Sequence, residues 1–214
     1  ETLSTTNPKL IYASISGFGQ DGPMADRPGF DQIAQGMGGL MSITGQPGAG
    51  PMRVGIPIAD LCAGLFAAQG ILIALFERFQ SGRGQWVQTS LLQAQVFMLD
   101  FQAARFLMEG HVAKQAGNNH PTSIPTGVFK TSDSHMNLAV TGNNIWQKFC
   151  TVMDRECWDS DPRYSTAPAR SENRDALGAE IEAITMTRTT AEWIDLFTKV
   201  GVPAGEINDI AQVF

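Results

Sequence analysis

The sequence predicts a mixed α/β fold made of two domains. In the first half, apolar runs at 10–15 and 85–90 predict strands on either side of a long apolar segment at 59–79 that predicts a helix. Strands that alternate with helices are typical of a parallel sheet. After a loop at 117–127 that is rich in Gly, Pro and Asn, two helices carry apolar stripes. We therefore expect a parallel α/β domain followed by a small α+β domain, with a boundary near residues 110–120.

Helix- and strand-breaking residues delimit the elements of the first half. Helical spacing of apolar residues predicts a helix from Phe30 to Met41 and another between about residues 96 and 107. The Gly- and Pro-rich stretch 44–57 predicts a loop. A Ser-Gly-Arg-Gly turn at 81–84 is a suitable end for the long helix.

The second half predicts two short strands and then helices. The strands are expected near 127–131 and 136–141, and the helices near 145–153, 172–184 and 191–200. Thr189 and Glu192 have the spacing of a capping box before the last helix, and Gly201 follows it as a stop signal.

Composition narrows the classes of function. The chain has 214 residues, is 43% hydrophobic and 17% charged, and carries a net charge of −6, which is typical of a globular protein. No Lys/Arg block indicates nucleic-acid binding. Three cysteines without a C-x-x-C pair indicate reduced thiols and a cytoplasmic protein. The three histidines lack the spacing of metal ligands, so no metal is expected.

The apolar stretch from Ile58 to Phe76 approaches the length of a transmembrane helix. Four alanines and two glycines dilute its hydrophobicity, and a charge at Asp60 is costly in lipid. A helix buried on nearly all sides, in a core or an oligomer interface, fits this pattern better than a membrane span.

Gly17 to Gly22 spell G-x-G-x-x-G after a predicted strand, as in a dinucleotide-binding fingerprint. Pro23, Pro28 and Gly29 follow at once, so no helix can begin at the third glycine and offer its N-terminus to a pyrophosphate. A Gly-rich turn near a ligand is the preferred interpretation.

Asp60 is the only acid between Asp31 and Glu77, and it lies where the Gly/Pro-rich loop gives way to the long helix. Aspartate is a favoured N-cap, so Asp60 has a purely structural interpretation. A carboxylate at a helix N-terminus is also kept ionised by backbone N–H groups, which suits a nucleophile. The residues alone leave both interpretations open.

Several blocks, in order along the whole chain, resemble the class III CoA-transferases, also called the CaiB/BaiF or formyl-CoA transferase family. The blocks are Ile11–Pro23, Phe30–Gln35, Ala59–Gly64, Ser81–Gln85 and Gly201–Asn208. The resemblance implies a partial Rossmann-like large domain at 1–112, which binds CoA, and a linker loop with a small α+β domain at 113–214. It also implies an interlocked homodimer and a protein that extends beyond both ends of this chain.

The resemblance implies an enzyme that moves CoA from an acyl-CoA to a small carboxylic acid, with no tightly bound cofactor. Asp60 matches the nucleophile, which passes through an aspartyl-CoA thioester. The implied CoA-contacting residues are Pro28, Gly29, Phe30, Asp31 and Leu91. The implied active-site loop consists of Gly117, Asn118, Asn119 and His120. Asp31 is equally well explained as a helix cap, and Leu91 as strand core.

Two alternatives differ from CoA transfer. An α-methylacyl-CoA racemase of the same fold would need a His at the position of Phe30 and a Glu near the position of Asn144. Neither the Phe nor the Asn side chain shuttles a proton. A chain that keeps the fold but is catalytically incomplete is the second alternative. The acceptor acid stays open among formate or oxalate, carnitine, and dicarboxylates such as succinate.

Overall fold

The computed structural model describes residues 2–214. It divides into two compact units, the first ending at Gly117 and the second spanning Asn118–Phe214. Helices and short strands occur in both, so the mixed α/β prediction is confirmed.

The first unit contains two strands and six helices among its described residues. In chain order these are α1 (Thr2–Thr6), β1 (Tyr12–Ser16), α2 (Asp31–Met37), α3 (Leu40–Ile43), α4 (Ile58–Ser81), β2 (Trp86–Ser90), α5 (Leu91–Phe97) and α6 (Asp100–Glu109).

The sheet of the first unit pairs β1 with β2 in parallel, as predicted, from Tyr12 opposite Trp86 to Ser16 opposite Ser90. Helix α4 lies between these strands in sequence and packs on both. Gly70 allows a close approach, because a Cβ there would lie 2.6 Å from Cγ1 of Val87 on β2. At the end of α4, Gly82 adopts a left-handed φ of 71°, which explains why the helix stops at the predicted turn.

Two predicted single helices are each split in the structure. The 30–41 segment breaks at Gly39, whose φ of 87° is incompatible with a continuing right-handed helix. The segment around 96–107 divides between the end of α5 and α6, and Asp100, the first residue of α6, has a φ of 46°. An aspartate tolerates this left-handed region better than most residues, but nothing in its local sequence predicted the break.

The core of the first unit is built from small side chains. Its buried cluster joins α2, α4 and α5 and consists of Ala34, Ala59, Cys62, Ala63, Leu91 and Ala94. The outer surface of α4 is apolar and exposed, with Leu65 70% and Phe79 86% accessible. By length and composition α4 could cross a membrane, but a single such helix is also typical of soluble cores.

The second unit contains three strands and six helices. In chain order these are β3 (Thr126–Lys130), β4 (His135–Ala139), α7 (Asn143–Val152), α8 (Cys157–Ser160), α9 (Ala167–Glu172), α10 (Arg174–Thr185), α11 (Thr190–Val200), β5 (Ala204–Glu206) and α12 (Ile210–Val213). The antiparallel sheet has the order β3-β4-β5. Strand β5 and the short helices α8 and α9 had no clear periodic signal.

Large side chains fill the core of the second unit. Trp146 and Phe149 on α7 stack on Trp158, and Phe149 also stacks on Phe197 of α11. All four rings are at most 3% exposed. Burial also raises the pKa of the nearby Cys150 thiol to about 12, so this cysteine stays protonated and behaves as a small apolar side chain.

Candidate active site

The C-terminal ends of the two parallel strands form one edge of the sheet in the first unit. Gly17 directly follows β1, and Leu91 and Leu92 directly follow β2. The backbone N–H of Leu92 donates a hydrogen bond to the Gly17 carbonyl at 3.1 Å, which ties the two strand ends together. In open parallel sheets this edge is the usual place for ligands.

A contact between two glycines brings the predicted CoA-contacting segment to this edge. A Cβ on Gly17 would lie only 2.7 Å from the Cα of Gly29, and a Cβ on Gly29 would lie 2.8 Å from the Cα of Gly17. Any side chain at either position would push the two backbones apart. Gly17 therefore allows Gly29, which directly follows Pro28, to pack closely against the end of β1, while the residues after Gly22 form turns.

Phe30 and Asp31 differ sharply in their surroundings. Phe30 is the N-cap of α2, and 78% of its surface is exposed. Asp31, the first residue of α2, is only 8% exposed. Its Oδ1 accepts a hydrogen bond from the backbone N–H of Ala59 at 2.9 Å, and its Oδ2 accepts one from Nε2 of Gln35 at 2.7 Å. Asp31 therefore caps α4 rather than its own helix.

Asp60 is the third residue of α4, and Pro57 is the N-cap. The interpretation of Asp60 as the N-cap is therefore wrong: α4 has no cap from its own flanking side chains, and Asp31 supplies the acceptor instead. Asp60 itself is exposed. No hydrogen bond to its carboxylate is found among residues 2–214, so both oxygens are available to a substrate.

The first-turn amides of α4 leave one donor for a ligand. The N–H of Ile58 donates to Ile56 O, that of Ala59 donates to Asp31, and that of Leu61 donates to Pro57 O. The N–H of Asp60 has no acceptor within the described part of the chain. An unused amide at a helix N-terminus, next to an exposed carboxylate, is where developing negative charge is stabilised.

Leu91 lies beside the start of α4. It is 8% exposed and belongs to the same buried cluster as Ala59 and Ala63. The side chain supports the helix turn that carries Asp60. Leu91 is therefore a core residue, but it is the first residue of α5 and does not belong to the strand, as the core interpretation had it. A CoA contact at Leu91 stays a prediction.

The predicted active-site loop divides between the two units. In the first, the N–H of Gly117 donates to Gly45 O, and the left-handed φ of 60° at Gly117 favours glycine there. In the second, Asn119 forms an antiparallel bridge with Gly127 of β3, and Asn118 O accepts from Val128 N–H.

His120 organises the residues that follow it. Its Nδ1 accepts hydrogen bonds from the backbone N–H groups of Thr122 at 3.2 Å and Ser123 at 3.0 Å. Both bonds require Nδ1 to be unprotonated. The role of this loop in catalysis stays a prediction. Across residues 2–214, no group of three His, Cys, Asp or Glu side chains is arranged to hold a metal ion.

Gln35 is a buried polar residue of the site to which no role was assigned from the sequence. It is fully buried, its Oε1 accepts from the Val54 N–H at 2.9 Å, and its Nε2 lies 3.4 Å from Ile56 O as well as bonding Asp31. The only signal in the sequence was its position at i+4 from Asp31, the spacing of a side-chain pair on one helix face.

Comparison with known proteins decides the family. The model of CoA-transferase family III matches residues 1–214. The chain belongs to this family. The resemblance stated from the sequence blocks is therefore confirmed, and the chemistry of Asp60 can be considered within a family of CoA-transferases.

Relatives and solved structures agree with the family III assignment. The succinate–glutarate CoA-transferase of Agrobacterium fabrum is 39% identical over all of this chain and 54% of its own length. The acetyl-CoA:oxalate CoA-transferase of Acetobacter aceti is 36% identical over 99% of this chain and 55% of its own length. A CaiB/BaiF family protein from Brucella suis shares the fold with a TM-score of 0.84 and 37% identity, over 99% of this chain and 56% of that one. The family III chain thus spans about half the length of these relatives.

Proposed function

We propose that this chain carries the nucleophile of an acyl-CoA:carboxylate CoA-transferase, and that the nucleophile is Asp60. The observation that carries the proposal is an exposed carboxylate in the first turn of α4, beside the ligand edge of a parallel sheet, in a member of CoA-transferase family III. Asp60 does not serve as the N-cap, so its structural interpretation has lost its support.

The proposed reaction exchanges activated acyl groups at the Asp60 carboxylate. A carboxylate oxygen attacks the thioester carbonyl of the donor, the C–S bond breaks, and a mixed anhydride and CoA thiolate result. The thiolate attacks the Asp60 carbonyl of the anhydride and releases the donor acid, which leaves an aspartyl-CoA thioester. Covalent catalysis of this kind divides one exchange into steps of similar energy.

The second half of the reaction repeats these steps with the acceptor. The acceptor carboxylate attacks the Asp60 carbonyl of the thioester and expels CoA thiolate, which gives a second mixed anhydride. The thiolate then attacks the acceptor's carbonyl, forms the new acyl-CoA and returns Asp60 as a carboxylate. Atoms and charges balance without any other reactant.

The electrostatics of the α4 N-terminus suit these steps. An α-helix carries a partial charge of about +0.5 at its N-terminus, which attracts the negative charge that develops on oxygen during each attack. The N–H of Asp60, which has no acceptor in residues 2–214, is a donor available to oxygen as it gains charge. Preorganised donors of this kind are a large part of catalysis by acyl-transfer enzymes.

For the substrates, we propose an acyl-CoA and a small carboxylic acid of the dicarboxylate class. The relatives named above act on succinate and glutarate or on oxalate, as their names state. A racemase is the weaker alternative, because Phe30 and Asn144 carry no group that exchanges protons at neutral pH. A homodimer and a cytoplasmic location also stay proposals; the exposed apolar surface of α4 supports burial against further protein.

The test uses the full-length protein and succinyl-CoA with glutarate or oxalate as acceptor. The protein is incubated with the acyl-CoA, treated with hydroxylamine and digested, and the Asp60 peptide is examined by mass spectrometry. We expect a hydroxamate on Asp60, and a loss of turnover on the order of 10³-fold or more in Asp60→Asn. Glu77→Gln, a change of an exposed acid on the same helix, is the matched control and should be active. An unmodified Asp60 peptide together with normal turnover in Asp60→Asn would contradict the mechanism.

A further inference from the structure

We infer that Asp31 and Gln35 form a positioning pair that fixes the backbone of the nucleophile-bearing turn. The inference rests on the proposed function of Asp60. It assigns Asp31 a role that acts through the Ala59 amide rather than through contact with CoA, and it gives Gln35 a role in the same reaction.

Helix α4 lacks a local side-chain cap at its N-terminus. Pro57 as N-cap offers no side-chain acceptor, so the first-turn amides have no local cap. Asp31 supplies the missing acceptor from 28 residues away, at 2.9 Å from the Ala59 nitrogen. The Ala59 and Asp60 amides are successive peptide units, so an anchor on one limits the movement of the other.

Gln35 holds the segment that leads into this turn. Its Oε1 accepts from Val54 N–H at 2.9 Å, and its Nε2 donates to Asp31 Oδ2 at 2.7 Å and lies 3.4 Å from Ile56 O. A single buried amide thus contacts the chain before α4 and the acid that caps α4. Both ends of the side chain are used, so the orientation of Gln35 is determined by its partners.

The burial of the pair separates a positioning role from ligand contact. Gln35 is fully buried and Asp31 is 8% exposed, which leaves almost no surface for CoA. No Lys, Arg or His lies within ion-pair distance of Asp31 in the described residues. The Asp31 charge is satisfied instead by two hydrogen bonds and by its place in the first turn of α2 and at the start of α4.

The directions of the hydrogen bonds provide a specific test. In Asp31→Asn the introduced carboxamide can accept from Ala59 N–H, but its NH₂ group then faces Nε2 of Gln35, donor against donor. If the Gln35 carboxamide group rotates by about 180° to relieve this clash, it loses the hydrogen bond from Val54 N–H. Adding Gln35→Glu restores an acceptor toward both the introduced amide and Val54, while the negative charge moves from position 31 to position 35.

The experiment compares D31N, Q35E and D31N/Q35E in the full-length protein, with kcat and KM for succinyl-CoA and the rate of hydroxylamine-sensitive labelling of Asp60. Displacing a reacting group by about 1 Å costs on the order of 10²-fold in rate, so D31N should lower kcat by up to about 10²-fold at nearly constant KM. The double variant should recover most of the loss. In Q35E alone, two carboxylates face each other, and kcat should fall as well.

Asp133→Asn is the matched control. Like Asp31, Asp133 accepts a hydrogen bond from the backbone N–H of a helix N-terminus, in this case from Thr190 on α11 at 2.9 Å. This substitution should leave kcat unchanged. Thermal melting separates loss of fold from loss of rate. If D31N does not fold, Gln35→Met, which removes the bonds to Val54 and Asp31 but keeps a long side chain, should show the same fall in kcat at constant KM.

The opposite results would overturn the inference. A D31N variant with normal kcat would show that Asp31 is dispensable. A D31N variant whose KM for succinyl-CoA rises and is not restored by Q35E would show that Asp31 is a ligand contact. These results leave the labelling of wild-type Asp60 intact, so they are distinct from a failure of the proposed function, in which wild-type Asp60 is never labelled.

Discussion

Helices α4 and α11 differ in whether a local cap starts them. Helix α11 starts with a local capping box, in which the Thr189 hydroxyl accepts from Glu192 N–H and the Glu192 carboxylate accepts from Thr189 N–H. Helix α4 starts after Pro57 with no local cap and depends on Asp31, far away in sequence. Helix α11 therefore has a local capping box as well as a long-range acceptor, because Asp133 Oδ1 also accepts from Thr190 N–H. Helix α4, which is expected to carry the chemistry, depends on the long-range acceptor alone.

The cores of the two units differ in the size of the side chains that they bury. The second unit buries large rings, such as those of Trp146 and Phe149, against one another. The first unit buries alanines where α2, α4 and α5 meet, which allows their backbones to approach closely. Large rings are sensitive to the loss of volume, whereas small-residue contacts are sensitive to its gain. Two predictions test this contrast, and a third tests the cap of α11.

The largest effect is expected for Phe149→Ala in the second unit. Phe149 is fully buried and stacks on three other rings, so its truncation should cost about 3–5 kcal/mol of unfolding free energy. Hydrogen exchange measured by mass spectrometry on α7 and α11 peptides, together with denaturant unfolding, gives the loss. Thr198→Ala, at an exposed position of α11, should change stability by less than about 0.5 kcal/mol. Equal exchange in both variants would contradict the described core.

A smaller loss of stability, caused by added rather than removed side-chain volume, is expected for Ala63→Leu in the first unit. Ala63 is fully buried against α2 and α5, and the added methylenes should cost about 1–3 kcal/mol through overpacking. Exchange of α4 peptides in the full-length protein measures this loss. The same substitution at the exposed Ala191 of α11 is the control and should be nearly neutral. A tolerated leucine at position 63 would mean that the alanine contact is loosely packed.

The smallest effect concerns pH and the α11 cap. The Thr190 amide holds the pKa of Asp133 below its ordinary 3.8, and the Thr189 amide holds the pKa of Glu192 below its ordinary 4.5. Both pKa values are lower in the folded state, so the unfolded state binds more protons as the pH falls. The stabilisation is therefore present above about pH 4.5 and is lost as the pH falls through the lower folded values.

Thermal melts between pH 7 and pH 3 check this expectation. The wild type should lose stability of the second unit in that acid range, and the double variant Asp133→Asn, Glu192→Gln should show a flatter profile. Asp195→Asn, which changes an exposed carboxylate, is the control and should keep the wild-type slope. If the double variant keeps the full slope, the acid sensitivity comes from other carboxylates.

Features that depend on neighbours in sequence were predictable. The capping box at Thr189 and Glu192 spans three residues, and Gly82 and Gly201 end their helices where predicted, because each signal acts within one turn. The parallel pairing of β1 with β2 followed from the alternation of strands with a long helix. The breaks at Gly39 and Asp100 and the strand β5 were missed, since they depend on packing rather than on periodicity.

The candidate site was predictable only in part. Asp60 and Asp31 were singled out as acids near helix starts, but which amide each would contact could not be read from their positions. The Asp31–Ala59 hydrogen bond joins residues 28 apart, and the role of Gln35 requires the 54–57 loop to fold back on α2. Long-range hydrogen bonds have no local sequence signature, because any buried acceptor can satisfy a helix amide.

The sequence by itself determined the family, the order of the main strands and helices and the acid expected to react, because these follow from ordered motifs and from the local periodicity of apolar residues. Only the tertiary structure decided that Asp60 is exposed in the first turn of α4 while Asp31 takes the cap. The physical reason is that the N-terminus of α4 has no side-chain acceptor among its sequence neighbours for its free backbone N–H groups. The residue that satisfies it is determined by how Gly17, Gly29 and α2 bring a distant carboxylate into hydrogen-bond distance.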